Sequence, residues 1–191
     1  SSTWITLATL AGLSTFNKEL NCQLSLSHKD EWYVPQQYQW EAGEENKTGV
    51  SPEIKSNTDV LEKWELENKS AHKIMAMGTE AEIDAIRDFL MKEYPDQLHL
   101  YRSKPTYLEI ANKKISKFTA IRYLLDNHFN LTPKDCIAFG DNYNDVEMIN
   151  GVGLGVAVAN ARREVLEVAN VVTDAGTEDG VAISLKKLFR L

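Results

Sequence analysis

The run Ile137-Ala138-Phe139-Gly140-Asp141-Asn142-Tyr143-Asn144-Asp145 sets out, in order, a short apolar strand, a glycine and two carboxylates four residues apart. A buried strand that stops at a glycine delivers the next side chains to the carboxyl edge of a sheet, where open α/β folds hold their ligands. Asp145 opens the segment that follows as a helix, so the sequence predicts that Asp141 and Asp145 face one crevice. Magnesium takes one or two carboxylates and completes its shell with waters and substrate phosphate, so two such acids make half of a magnesium and phosphate site. Spacing alone leaves a second reading open, with Asp141 a turn acid and Asp145 a helix N-cap. Asn144 favours the first, because an amide at that edge donates to a phosphate oxygen. An EF-hand calcium loop fails: counted from Asp141, Val146 stands where the glycine is required and Val152 where the bidentate Glu is required.

The elements around this run alternate. Ser116 to Asn127 reads as a helix, Cys136 to Phe139 as a strand, Asp145 to Asn150 as a helix, Leu154 to Val158 as a strand, Arg162 to Ala169 as a helix and Val171-Val172 as a short strand. Alternation of this kind implies a parallel sheet with right-handed crossovers. Lys117 falls at the amino end of its helix, where a cation beside the dipole suits a bound phosphoryl group, although a lone lysine there is more often simply solvated. Gly151-Val152-Gly153-Leu154-Gly155 precedes a strand rather than opening a helix, so it reads as a turn and not as a nucleotide loop.

The first 110 or so residues follow a different grammar. Trp4 to Glu19 has helical spacing, closed by Asn21; Cys22 to Leu26 alternates as a half-buried strand, with Trp32 to Val34 as its partner. A helix is expected around Gln37 to Glu44 and a polar loop from Glu45 to Asn57. Ala71 to Met77 reads as a strand, Thr79 caps a helix from Glu80 to Tyr94, and Leu98 to Tyr101 pairs with Tyr107 to Ile110. This predicts an antiparallel sheet covered on one face, in a first domain over residues 1 to 110 that gives way to a second, 111 to 191, near Ala111 to Lys114. Trp32, Tyr33, Tyr38 and Trp40 cluster either as packing or as a ligand-facing wall.

With a formal charge of -7, the chain offers no general attraction to nucleic acid or anionic lipid. No apolar stretch approaches the roughly 20 residues of a membrane span, which makes the cytoplasm the expected location. Cys22 and Cys136 lie in separate segments without metal-ligand spacing and read as free thiols, and His28, His72, His99 and His128 are equally scattered.

Four segments together, Ser116-Lys117-Phe118-Thr119-Ala120, Gly140 to Met148, Gly155 to Ala161 and Glu178-Asp179-Gly180-Val181-Ala182, resemble in order and spacing the carboxyl-terminal half of the Cof-type haloacid dehalogenase-like phosphatases. The resemblance covers Tyr107 to Leu191 closely and residues 1 to 106 more loosely, as that family's cap. It implies an α/β fold: part of a Rossmann-like parallel core with an α+β cap domain of the C2 type. It also implies Mg2+ as cofactor, with Asp141 a metal-ligating acid, Asp145 a metal-shell or supporting acid, Asn144 a substrate-contacting amide, and Lys117 the catalytic lysine that steadies the phosphoryl group and the nucleophile. Phe118 departs from the glycine usual after that lysine.

A larger departure lies upstream. The family's nucleophile and its acid/base partner occupy a D-x-D-G-T segment, which is absent from these 191 residues; Asp30 and Asp59 lack the surrounding apolar strand and glycine turn. The resemblance therefore implies a chain that begins inside the cap and is inactive alone. The implied function of the full-length enzyme is hydrolysis of small phosphorylated metabolites, such as sugar or cofactor phosphates. A missing central strand would leave an open sheet edge, so a homodimer, or pairing with the missing amino-terminal segment, is expected. The competing expectations are a non-catalytic phosphate and magnesium binding or regulatory module, and a structural domain in which the acids only cap a helix.

Overall fold

A computed structural model describes residues 3 to 20, 22 to 36 and 51 to 190. The helix expected around Gln37 to Glu44, with Tyr38 and Trp40, lies outside the described residues. The chain divides into two compact units, Ser1–Lys114 and Ile115–Leu191.

In the first unit, six strands form one sheet in the order β3-β2-β1-β4-β6-β5. They are β1 (Gln23–His28), β2 (Glu31–Val34), β3 (Glu53–Ile54), β4 (Lys73–Met77), β5 (Leu98–Lys104) and β6 (Tyr107–Asn112). Every described pairing is antiparallel except β2 with β3, which run parallel through Tyr33 opposite Glu53 and Val34 opposite Ile54. Helices α1 (Leu7–Asn17), α2 (Asn57–Leu66) and α3 (Glu80–Glu93) contribute Leu10, Leu13, Trp64, Ile83, Ile86 and others to a single core with the sheet. The α3 start follows from its sequence: the Thr79 side chain accepts from the Glu82 amide while the Glu82 carboxylate takes the Thr79 amide, a reciprocal cap for two otherwise unpaired donors.

Three expectations are corrected here. Residues 51 to 57 are not all loop, because β3 docks on β2 and the Lys55 amide donates to the Val34 carbonyl at 2.9 Å. Helix α2 escapes the sequence pattern because only Val60 and Trp64, one turn apart, are buried in an otherwise polar segment, with Ser56 as its N-cap. Strand β1 does not alternate between buried and solvated: Gln23 and Ser25 are buried as well as Leu24 and Leu26. Buried Ser25 Oγ is satisfied by the Trp32 indole N–H at 2.7 Å.

In the second unit, β7 (Ile137–Gly140), β8 (Leu154–Val158) and β9 (Val171–Thr173) form a parallel sheet in the order β7-β8-β9. Ile137 pairs with Leu154 and Gly140 with Ala157, and Val158 pairs with Thr173, so the three strands end at one edge. Among the described residues β7 pairs only with β8. The intervening helices are α4 (Lys117–Leu124), α5 (Val146–Gly151) and α6 (Arg163–Val168). Ala138, Met148, Ile149, Val152, Ala157 and Val165 form the core of this unit, against which Phe118 and Ile121 pack. The helix expected from Ser116 to Asn127 instead changes hand-hold after Leu124 into one π turn, Leu125–Phe129, closed by Asn130 in the left-handed conformation. A final helix, α7 (Gly180–Phe189), was not anticipated from the sequence pattern. No helix among the described residues is long and apolar enough to cross a membrane.

Candidate active site

Strand β7 ends at Gly140, and its geometry explains why glycine stands there. A Cβ at Gly140 would lie 2.6 Å from the Asp145 Cβ and 3.0 Å from Ile149 Cγ1, so no larger residue fits without moving Asp145. Asn142 then caps a single 3-10 turn, Tyr143–Asp145, its side chain accepting from the Tyr143 amide at 2.9 Å. Helix α5 starts after that turn, at Val146 rather than at Asp145.

The two acids are not equivalent. Asp145 is almost wholly buried and both of its oxygens are engaged: Oδ1 accepts from Lys117 Nζ at 2.6 Å, and Oδ2 accepts from the Asp141 amide at 3.0 Å and the Asn142 amide at 3.1 Å. Burial alone would raise its pKa, but the Lys117 hydrogen bond and the two backbone amides hold the carboxyl below its ordinary value. Asp145 thus bends the chain after β7 around its own carboxylate and anchors a cation beside it. The Asp141 carboxylate is exposed and carries no hydrogen bond or ion pair among the described residues. Asn144 is half-buried on the same turn.

Lys117 reaches this point from the first turn of α4, whose start is fixed by a reciprocal cap. Ser116 Oγ accepts from the Thr119 amide at 3.2 Å and Thr119 Oγ1 accepts from the Ser116 amide at 2.9 Å. Phe118, next along, turns into the core and rests against Gly151. The structure therefore brings Lys117, Asp145 and the peptide of Asp141 together, with Asn144 on the same turn.

The turn that follows β8 carries part of the resemblance, in Asn160 and Ala161, but sequence reasoning gave no role to Arg162. The Arg162 amide donates to the Asp141 carbonyl at 2.8 Å, the Arg162 guanidinium lies 5.6 Å from the centre of the Tyr143 ring, and Asn160 Oδ1 accepts from the Gly176 amide at 2.8 Å. These contacts stitch the ends of β7, β8 and β9, and only the parallel register predicts that residues so far apart in sequence meet at one edge.

Among the described residues the turn after β7 offers one exposed carboxylate without a partner, Asp141, that could hold a magnesium ion, and no group of three or more His, Cys, Asp or Glu side chains converges to hold a metal. That donor set fits an ion that keeps most of its shell for water and phosphate oxygens, and does not fit a cation needing an all-protein cage.

The family model for haloacid dehalogenase-like hydrolases matches residues 2 to 185. A protein of Haemophilus influenzae bearing the provisional name of phosphatase is 42% identical over 125 residues, 65% of this chain and 47% of its own length. The 5-amino-6-(5-phospho-D-ribitylamino)uracil phosphatase YcsE of Bacillus subtilis is 34% identical over 122 residues, 63% of this chain and 49% of that enzyme. The chain spans about half the length of these curated relatives. The fold matches a haloacid dehalogenase-like hydrolase of Bacteroides thetaiotaomicron with a TM-score of 0.77 at 21% identity, over 98% of this chain and 68% of that one. With its parallel core, its alternating elements and the family model running across almost its whole length, the chain belongs to the haloacid dehalogenase-like hydrolases.

Proposed function

We propose that this chain carries the charge-handling half of a magnesium-dependent phosphatase site that hydrolyses small phosphorylated metabolites. One observation carries the reading: Asp145, buried and held ionised, binds Lys117 with one oxygen and the peptide of Asp141 with the other, and leaves the Asp141 carboxylate open at the carboxyl edge of a parallel sheet. Asp141 and water would hold magnesium there, and the bound ion would supply positive charge against phosphoryl oxygens. Lys117 adds a second cation in a position fixed by Asp145, and Asn144 offers a neutral donor to the same anion. Phosphoryl transfer is mostly positioning and charge neutralisation, which is the work these four side chains are equipped for. The phosphate ester named for the Bacillus subtilis relative, a sugar-alcohol phosphate on a pyrimidine, supports sugar or cofactor phosphates as the substrate class.

The 191 residues contain no D-x-D segment to attack phosphorus, so the same proposal has the chain turn over no phosphate ester alone. The edge of β7 that is unpaired among the described residues is taken up, in this proposal, either by a second copy or by a strand from outside these residues, which light scattering reads as dimer or monomer. Calorimetric titration of the chain with magnesium and inorganic phosphate, beside an aryl phosphate assay with and without chelator, tests the reading. Binding lost in Asp141→Asn without turnover supports it. Turnover by the chain alone overturns the division of labour, and binding without turnover in a longer chain that includes the upstream segment favours a non-catalytic module.

A further inference from the structure

We propose that Arg162, a residue outside the acid and lysine set, is a positioning residue for Asp141. This inference rests on the reading of Asp141 as the magnesium-ligating acid. The loop that carries Asp141 is held at two places. From inside, Asp145 binds the amides of Asp141 and Asn142. From outside, the turn after β8 reaches across: the Arg162 amide donates to the Asp141 carbonyl at 2.8 Å, and the guanidinium of the same residue lies over the Tyr143 ring, two residues further along the loop. Arg162 therefore grips the loop with its backbone at Asp141 and with its side chain at Tyr143. Between these points the Asn142 side chain accepts from the Tyr143 amide, and the Asn142 carbonyl accepts from the Asp145 amide at 2.8 Å, so hydrogen bonds within the loop tie the two grips together.

The anchoring of Arg162 is itself secured. Val165 and Leu166 donate their amides to the Arg162 carbonyl, which makes Arg162 the N-cap of α6, and the Ala161 amide donates to the Val158 carbonyl at 2.9 Å. Two residues before, Asn160 holds the Gly176 amide beyond β9. The grip on Asp141 is thus referred to the ends of β8 and β9, the rigid part of the unit. The Asp141 carboxylate has no side-chain partner among the described residues, so its aim is set through its backbone, by Asp145 at its amide and Arg162 at its carbonyl. An arginine is suited to this task because its planar, always charged guanidinium rests on an aromatic face while its backbone remains free to donate.

The test reads backbone hydrogen exchange over residues 141 to 145 and at Arg162, together with magnesium affinity by calorimetry. It compares the native sequence with Arg162→Met, Tyr143→Leu and the double variant. Arg162→Met keeps the stem and removes the charge; Arg162 is exposed and Tyr143 half-buried, and the exchange of the Gly155 amide, bonded to Asn170 within β8, reports that the fold is intact. The expected result is exchange in the loop faster by about two- to five-fold in each single variant, the span of an exposed cation–π contact, with magnesium affinity falling by a similar factor. The double variant should be no worse than the singles, because both remove one contact. Unchanged loop exchange, or faster exchange with unchanged magnesium affinity, overturns the proposal. Failure of the underlying reading looks different: the native chain then binds no magnesium, or Asp141→Asn binds it equally well, and the exchange arm still decides whether Arg162 grips the loop.

Discussion

The Lys117 ammonium and the Asp145 carboxylate meet at 2.6 Å although the lysine side chain is 50% exposed and the aspartate 3%. The two ends of this pair therefore lose different things when the other is removed. Without Lys117, the buried carboxylate keeps two backbone donors and loses its countercharge. Lys117→Met should cost roughly 1–3 kcal/mol of unfolding free energy, the lower part of the range being favoured by the exposure of the lysine. Asp145→Asn should cost at least as much, because an amide offers one acceptor oxygen where the carboxylate offers two, so either Lys117 or the two loop amides then face an N–H. Urea unfolding of both variants decides the order, and a milder effect of Asp145→Asn would refute the account of Asp145 as the hub.

Acid should weaken the first unit through Glu31. Burial pushes this carboxyl up, but hydrogen bonds from Lys69, Tyr33, Trp64 and Lys63 together bring it from 4.5 down to about 2. A pKa lower in the folded than in the unfolded chain stabilises the fold above the unfolded value, and that contribution disappears as the pH drops from 4.5 towards 2. Because Glu31 and both lysines are about 30% exposed, water screens the cluster and the contribution is about 1 kcal/mol. Melting temperature measured against pH should fall through this window in the native chain, and Glu31→Gln should flatten that part of the profile. Equal slopes in the two proteins would show that the cluster is not coupled to folding.

How much of this molecule was legible in its sequence depends on how locally each feature is encoded. The β7 strand, its terminal Gly140 and the acids after it are written in nine consecutive residues, and α3 carries both its cap and its apolar stripe within one segment. Helix α2 was missed because two buried side chains suffice when a sheet already supplies the opposing surface. Strand β3 was missed because two residues carry no periodicity, and their pairing with β2 is set by the fold around them. The unequal roles of Asp141 and Asp145 were illegible for another reason: the sequence gives their spacing, but only the turn shows that one carboxylate folds back on the peptide of the other. Arg162 was invisible because its contact depends on the register between β7 and β8.

Helix α2 supplies a test of this argument about sparse encoding. Trp64 is fully buried, stands edge-on to Tyr33 with ring centroids 5.8 Å apart, and donates its indole N–H to Glu31 at 3.4 Å. Leu66, two residues on, is 89% exposed. Trp64→Ala should cost about 3–5 kcal/mol, whereas Leu66→Ala should stay within about 0.5 kcal/mol. Denaturant midpoints for the two variants measure this directly. Similar losses in both would mean that α2 is stabilised along its length and does not hang on its tryptophan.

Gly140→Ala probes the site from its least reactive atom. The added methyl would meet the Asp145 Cβ at 2.6 Å and the Asp145 Cγ at 3.0 Å, and Asp145 has no slack to yield, since both of its oxygens are already bound. Either β7 shifts or Asp145 rotates away from Lys117 and the Asp141 amide. The overpacking should cost about 1–3 kcal/mol. Displacing a group that orients a metal ligand should also lower magnesium affinity by about tenfold or more, although Gly140 contributes no side chain to the site. The two effects separate by comparison with Ile149→Ala, which removes the Cγ1 that the methyl would meet at 3.0 Å and so gives it room on one side only. That variant alone should lower stability and leave magnesium affinity unchanged, and combined with Gly140→Ala it should cost less than the sum of the two single losses while the affinity stays low, because the clash with Asp145 remains. Recovery of affinity in the double variant would place the strain on Ile149 and remove Asp145 from the explanation.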